Sequence, residues 1–189
     1  GALRALRPEA SLTVLSGNPP EAESAHGVTA ILWTDVERII QAVRESDLVV
    51  VGGGGLFHDY WDFDPDSLLT QNHSGLAYFA GLPLLAALLD KPVMLYAVGV
   101  GPLRTEVGRL FTRAAFEQAS AATVRDAESL QQLQAIGIST ERVRVTADPA
   151  IRFQPADLAR AIEILRAAGI STLTRPLVGA ALRNWDIGV

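Results

Sequence analysis

There is no cysteine among the 189 residues of this chain. That excludes disulfides, thiolate chemistry and cysteine-based metal sites, and it fits a reducing compartment. Positive charge is not in excess: the formal net charge is −5, so no global field draws the protein to nucleic acid. The opening residues GALRALRPEA hold no signal-peptide h-region. The longest apolar run, GLAYFAGLPLLAALL at 75–89, is too short and too interrupted by glycine and proline to span a bilayer. Low-complexity tracts and solenoid repeats are also missing from the sequence.

What is present is a globular composition, 49% hydrophobic and 20% charged. The length suits one α/β domain, or one domain and the start of another. ALRAL at 2–6 reads as the last turns of a helix. PLVGAALRNWDIGV at 176–189 reads as a strand with no cap after it. The expectation is a chain truncated at both ends.

Between those ends, strand and helix signals alternate. LTVLS (12–16) is a short β run closed by the turn signal GNPP, and GVTAILW (27–33) is a weaker one. TDVERIIQAVRES (34–46) carries the helical period at Val36, Ile39, Ile40 and Val43, with Thr34 and Glu37 spaced as a capping box. DLVVV (47–51) and PVMLYAVGVG (92–101) are continuous apolar runs, as central parallel strands are. Residues 74–90 and 104–120 predict helices, 121–126 a short strand, and 127–137 a helix stopped by Gly137. A strand at 142–150 running into a loop, a helix at 156–169 and a strand at 176–182 complete the pattern. Repeated strand–helix units of this size predict an α/β fold with a Rossmann-like, doubly wound parallel sheet. The fresh helix after the loop near 150 predicts a domain boundary, with 1–154 as one domain and 155–189 as the beginning of a second.

DLVVVGGGGLFHD (47–59) places four glycines at the end of a buried strand. In open α/β sheets ligands sit beyond the carboxyl ends of the strands. Glycine there permits φ > 0 and close approach to the backbone, and N–H groups near a helix start favour anions. Gly52, Gly53, Gly54 and Gly55 therefore read as substrate-binding. Three further strand ends carry the same kind of residue: Gly99, Gly101 and Pro102 in YAVGVGPL, Arg125 and Asp126 in TVRDAESL, and Asp148 in VTADPAI. One such turn alone reads as an ordinary βα turn; four on one edge favour a binding site. Neither GGGGLF nor GVGPLR is a dinucleotide fingerprint, because Phe57 and Arg104 stand where the third glycine belongs, and no phosphate-loop motif occurs.

GGGGLFHD, KPVMLYAVGVGPL, TVRDAESLQQLQAIGI and VRVTADPAI, in this order and spacing, resemble the polysaccharide pyruvyl transferase family from about Leu12 to Val189. The usual family wording has leucine and glutamine at Phe57 and His58, and glycine and glutamine at Ala97 and Val98. The resemblance implies a GT-B-like pair of Rossmann-like domains, this chain holding the acceptor-side domain and the start of the donor-side one. It implies transfer of the enolpyruvyl group of phosphoenolpyruvate to a sugar of a cell-surface glycan precursor as a pyruvate ketal. It implies a glycan acceptor, lipid-linked or not; the sequence itself gives no sign of a cofactor or of a required metal. It places the protein in the cytoplasm, with the inner face of the membrane and a homo-oligomer as open options.

That chemistry needs a general acid, a general base, and cations for carboxylate and phosphate. Arg183, after the apolar run LVGAAL, is the candidate for the donor's anionic groups. Asp59 is the catalytic candidate that matches the family pattern, with His58 beside it as a binding residue. Arg125 and Asp126 are binding candidates, although an ion pair or helix cap is the favoured reading, because Asp at a helix start stabilises the helix by itself. The acidic, aromatic loop 58–75 reads as a lid, with Tyr60 and Trp61 able to stack on a sugar. Asp62, Asp64 and Asp66 begin like a calcium loop, but Ser67 and His73 stand where its glycine and glutamate belong. Arg104, Arg109 and Arg113 form a solvated stripe or a surface for lipid diphosphate. The alternatives are a nucleotide-sugar glycosyltransferase of similar architecture and a non-catalytic glycan-binding module. On the leading reading this chain alone is inactive.

Overall fold

The computed structural model describes residues 2–61, 63–72, 75–153, 157–170 and 178–180. The chain divides into two compact units, Gly1–Asp148 and Pro149–Val189.

The first unit is α/β, with parallel strands flanked by helices. A short helix, α1 (Ala2–Leu6), precedes β1 (Thr13–Ser16), α2 (Pro19–His26), β2 (Thr29–Leu32) and α3 (Val36–Glu45). Then come β3 (Val49–Phe57), α4 (Gly75–Leu88), β4 (Val93–Val100), α5 (Glu106–Gln118), β5 (Ala121–Val124), α6 (Ala127–Ala135) and β6 (Val143–Val145). β1 pairs with β2, while β3, β4, β5 and β6 form a four-stranded sheet in that order, every pair parallel. The fold class is the expected Rossmann-like one.

Apolar runs build the centre. Val93, Leu95 and Val98 of β4 are fully buried, as are Val124 of β5 and Leu133 of α6. Each such side chain contributes about 1.5–3 kcal/mol relative to exposure. α4 is apolar all round because it has neighbours on several sides: it packs against β3, β4, α3 and α5. Phe57 at the end of β3 meets Phe116 of α5 edge to face, with centroids 5.3 Å apart.

Local chemistry sets the helix ends, and twice it differs from the reading above. GNPP is not a closing turn; it starts α2. Asn18 caps it by accepting from Glu21 N, and the prolines occupy the first turn, where no N–H partner is needed. For α3 the cap is Asp35, which accepts from Arg38 N at 3.1 Å, in place of Thr34. The Gly137 stop is as expected: its φ is +79°, and Ile138 N donates to Leu133 O in the six-to-one closure of a Schellman turn.

The second unit contains a 3-10 turn at Pro149–Arg152 and α7 (Leu158–Ala167), capped by Asp157. The strand expected at 176–182 falls largely outside the described residues.

Candidate functional site

The four glycines do not follow the strand; they continue it. β3 runs to Phe57 and pairs with β4 through Gly52↔Tyr96, Gly54↔Val98 and Gly55↔Gly99. The continuous apolar run marked only the first half of β3, because glycine carries no strand propensity of its own. Each glycine has a separate reason. A Cβ on Gly52 would collide with the Tyr96 carbonyl oxygen, so Gly52 lets β3 and β4 approach. Gly53 and Gly54 have φ of +81° and +99°, which only glycine adopts without strain. A Cβ on Gly53 would meet nothing within 4 Å, so that backbone faces open space.

Gly55 and Gly99 form a floor for Arg125. Hypothetical Cβ atoms would stand 3.4 Å from Arg125 Nη2 at Gly55, and 2.8 Å from Cζ and Nε at Gly99. The guanidinium thus lies on bare backbone at the carboxyl edge of the sheet. Its Nε donates to Asp126 Oδ2 at 3.3 Å and its Nη1 to Asp148 Oδ2 at 3.4 Å. Nη2 has no hydrogen-bond acceptor among the described residues. Residues from the ends of β3, β4, β5 and β6 therefore meet at one charged group, as the spacing of strand-end motifs predicts.

Asp126 is both ion-pair partner and N-cap. Its Oδ1 accepts from Ser129 N at 2.7 Å. Ser129 is buried, and its Oγ also accepts from Val100 N at 2.9 Å. This ties the start of α6 to the end of β4. Hydrogen bonding from the Ser129 side chain first, then from its backbone N–H and the Arg125 charge, outweighs burial. The Asp126 carboxyl is held below the usual carboxylate range. Ser129 was legible only as the third residue after the Asp cap; its link to Val100 is tertiary.

Asp59, the catalytic candidate, lies against the start of α5. It is buried, and its Oδ1 accepts from Arg104 N at 2.6 Å. Its Oδ2 accepts from Thr105 N and from Thr105 Oγ1, both at 2.6 Å. Thr105 in turn caps α5 by accepting from Gly108 N at 2.9 Å. Gly108 has no room for a Cβ beside the Asp59 carboxylate. The start of α5, expected to attract a ligand anion, is filled by the chain's own carboxylate. Asp59 is a brace between the loops after β3 and β4. Gly101, at φ +95° beside the Gln132 side chain, and Pro102, whose peptide bond with Gly101 is cis, shape the second of those loops.

His58 stacks on Tyr60 with centroids 4.4 Å apart, and Trp61 is 59% exposed. The loop is not without structure: Asp64 caps a 3-10 turn at Pro65–Ser67 by accepting from Asp66 N. The arginine stripe is not presented to a ligand along its length. Arg109 pairs with Glu106 at 2.6 Å, and Arg113 donates to Ile136 O at 2.6 Å, closing the end of α6. Among the described residues no cluster of three or more His, Asp or Glu is arranged to hold a metal ion, and no helix is long and apolar enough to cross a membrane. Arg183 lies outside the described residues.

A parallel Rossmann-like sheet with glycine and charged groups at its strand carboxyl ends belongs to the α/β proteins that bind ligands along that edge. The model of the polysaccharide pyruvyl transferase family matches residues 1–185. The chain is a member of that transferase family. Comparison with curated proteins and with solved structures gives no match.

Proposed function

We propose that the protein transfers the enolpyruvyl group of phosphoenolpyruvate to a sugar of a cell-surface glycan precursor, forming a pyruvate ketal. The observation that supports this reading is Arg125, held on the Gly55–Gly99 floor where four strand ends converge, in a chain of this family. In the reaction two sugar hydroxyls add to the central carbon of the donor. One hydroxyl proton ends on the methylene carbon, which becomes the methyl group. The other leaves with phosphate as the carbon–oxygen bond to phosphate breaks. Two carbon–oxygen bonds form and no oxidant or reductant is consumed.

In this reading the unit Gly1–Asp148 is the acceptor side of a GT-B-like pair. Arg125, Asp126 and Asp148 touch substrate, with the backbone of Gly53 and Gly54 beside them. His58 lines the approach, and Asp59 holds the loop. Arg183 keeps its assignment to the donor's carboxylate or phosphate, where a guanidinium binds bidentately. The acceptor is drawn from the cytoplasm or from the inner face of a membrane.

The test is made on the full-length protein. It is incubated with phosphoenolpyruvate and a panel of aryl and lipid-linked glycosides, with phosphate release and product mass followed together. A mass gain matching a pyruvate ketal, lost in Arg183→Ala, is expected. Transfer from a nucleotide sugar with none from phosphoenolpyruvate would replace this reading by glycosyl transfer.

A further inference from the structure

We infer that Thr123 is a positioning residue: its hydroxyl holds a bulge in β4, and that bulge decides which residues at the carboxyl ends of β3 and β4 face the ligand edge. The inference rests on the pyruvyl transfer reading, since it takes that edge as the place where the acceptor binds.

Two residues with left-handed backbone stand opposite each other inside the sheet. Ala97 has a φ of +50° and Gly53 a φ of +81°. The register puts them face to face, between the pairs Gly52↔Tyr96 and Gly54↔Val98. Glycine takes that conformation freely, and alanine does not. A buried residue other than glycine stays there only where its surroundings hold it. Ala97 is buried, and the holding group is Thr123: Ala97 N donates to Thr123 Oγ1 at 2.7 Å.

The bulge resets the alternation of side chains along β4. Leu95 pairs with Ala122 and Val98 with Val124, so β4 takes one more residue than β5 over the same stretch. An extra residue turns every following side chain to the opposite face. Val93 and Leu95 before the bulge, and Val98 and Val100 after it, all join one apolar core. In a regular strand Ala97 and Gly99 would continue the face of Leu95, and the two valines would turn away from it. The extra residue keeps the valines in the core and leaves Gly99 as bare backbone beneath Arg125. The next backbone bond past the bulge, from Arg125 N to Val98 O at 3.1 Å, fixes that register. β3 bends with β4 at Gly53, where a Cβ would meet nothing within 4 Å. Thr123 therefore acts on the site through the backbone of β4 and not by touching a ligand.

Thr123→Val keeps the shape of the side chain and removes the hydroxyl, while Thr123→Ser keeps the hydroxyl. Both are made in the full-length protein. Steady-state kinetics with phosphoenolpyruvate and an aryl glycoside acceptor are read beside hydrogen exchange. Thr123→Val is expected to raise KM for the acceptor roughly tenfold, with kcat and KM for phosphoenolpyruvate within about twofold of wild type. Arg125 N is expected to exchange roughly tenfold faster, and serine to restore both readings. A fall in kcat with acceptor KM unchanged, which is what simple loss of folded protein gives, overturns the inference, as does failure of serine to restore. Ala97→Gly supplies a residue that holds the left-handed backbone unaided, so in that background Thr123→Val is expected to raise acceptor KM about threefold or less. If Thr123→Val alone does not fold, this pair of variants carries the test, and a tenfold rise between them, roughly, overturns the inference. If the wild type forms no ketal, the pyruvyl transfer reading falls and the bulge is judged by exchange alone. Unchanged protection of Arg125 N in Thr123→Val then overturns it.

Discussion

The Arg125 guanidinium rests on the backbone of Gly99. A Cβ built at Gly99 would stand 2.8 Å from both Cζ and Nε of Arg125, which is closer than real side chains approach. Gly99 is buried in β4, and Arg125 follows β5, so the contact exists only because two strands lie side by side. It separates two kinds of glycine in this edge of the sheet. At Gly99 the obstacle is the end of a flexible side chain. At Gly52 it is the Tyr96 backbone carbonyl.

Gly99→Ala and Gly52→Ala are accordingly expected to differ. Gly99→Ala displaces the guanidinium and breaks two partly exposed ion pairs, at a stability cost of about 1 kcal/mol or less. Acceptor binding is lost. Gly52→Ala must push β3 from β4, costing about 1–3 kcal/mol. Urea denaturation of both variants checks this; equal costs would contradict the assignment.

Asp59→Ala removes the acceptor of three hydrogen bonds and leaves Arg104 N and Thr105 N without it. A loss of about 2–4 kcal/mol is expected, with the loop before α5 and the first turn of α5 losing hydrogen-exchange protection first. A variant as stable as the wild type but inactive would return Asp59 to a chemical role.

Asp126 links stability to pH. Its folded-state carboxyl is lowered, chiefly by Ser129, so its contribution is present above the unfolded value near pH 4 and is lost as pH falls through the folded value. Asn is a good helix cap, so Asp126→Asn isolates the charge. The stability difference between wild type and Asp126→Asn should be small, since the group is 46% exposed, and should shrink as pH drops below about 4. Thermal unfolding across that range reads it. A difference independent of pH would mean that the cap alone matters.

Asp90→Gly should stabilise the protein. Asp90 is exposed with φ +53° at the end of α4, where Lys91 N closes on Ala86 O. Glycine relieves the left-handed backbone and removes a negative charge from a helix carboxyl end, together about 1 kcal/mol. Ala97, buried with φ +50°, is a stricter case, because glycine there also forfeits a buried methyl. The two effects of Ala97→Gly are similar in size, and a change within about 0.5 kcal/mol is expected. Chemical denaturation of each variant measures both shifts.

Apolar runs, helical period and the four ordered motifs by themselves determined the α/β class, the order of most elements and the family. Those signals are local, and hydrophobic period follows directly from which face of an element is buried. They also brought Gly55, Gly99, Arg125, Asp126 and Asp148 onto one list, because strand ends in a parallel sheet share an edge. The start of α2 at GNPP and the cap at Asp35 are not legible locally, because proline and short polar residues serve turns and helix starts alike. Only the tertiary structure decided which glycine yields to a carbonyl and which to a guanidinium, and that Asp59 is spent on the start of α5. Those contacts join residues from 26 to 46 positions apart, such as Gly99 with Arg125 and Asp59 with Thr105. No local propensity carries such a pairing. It is created when β3, β4 and β5 are laid side by side and their carboxyl ends are brought within hydrogen-bonding reach.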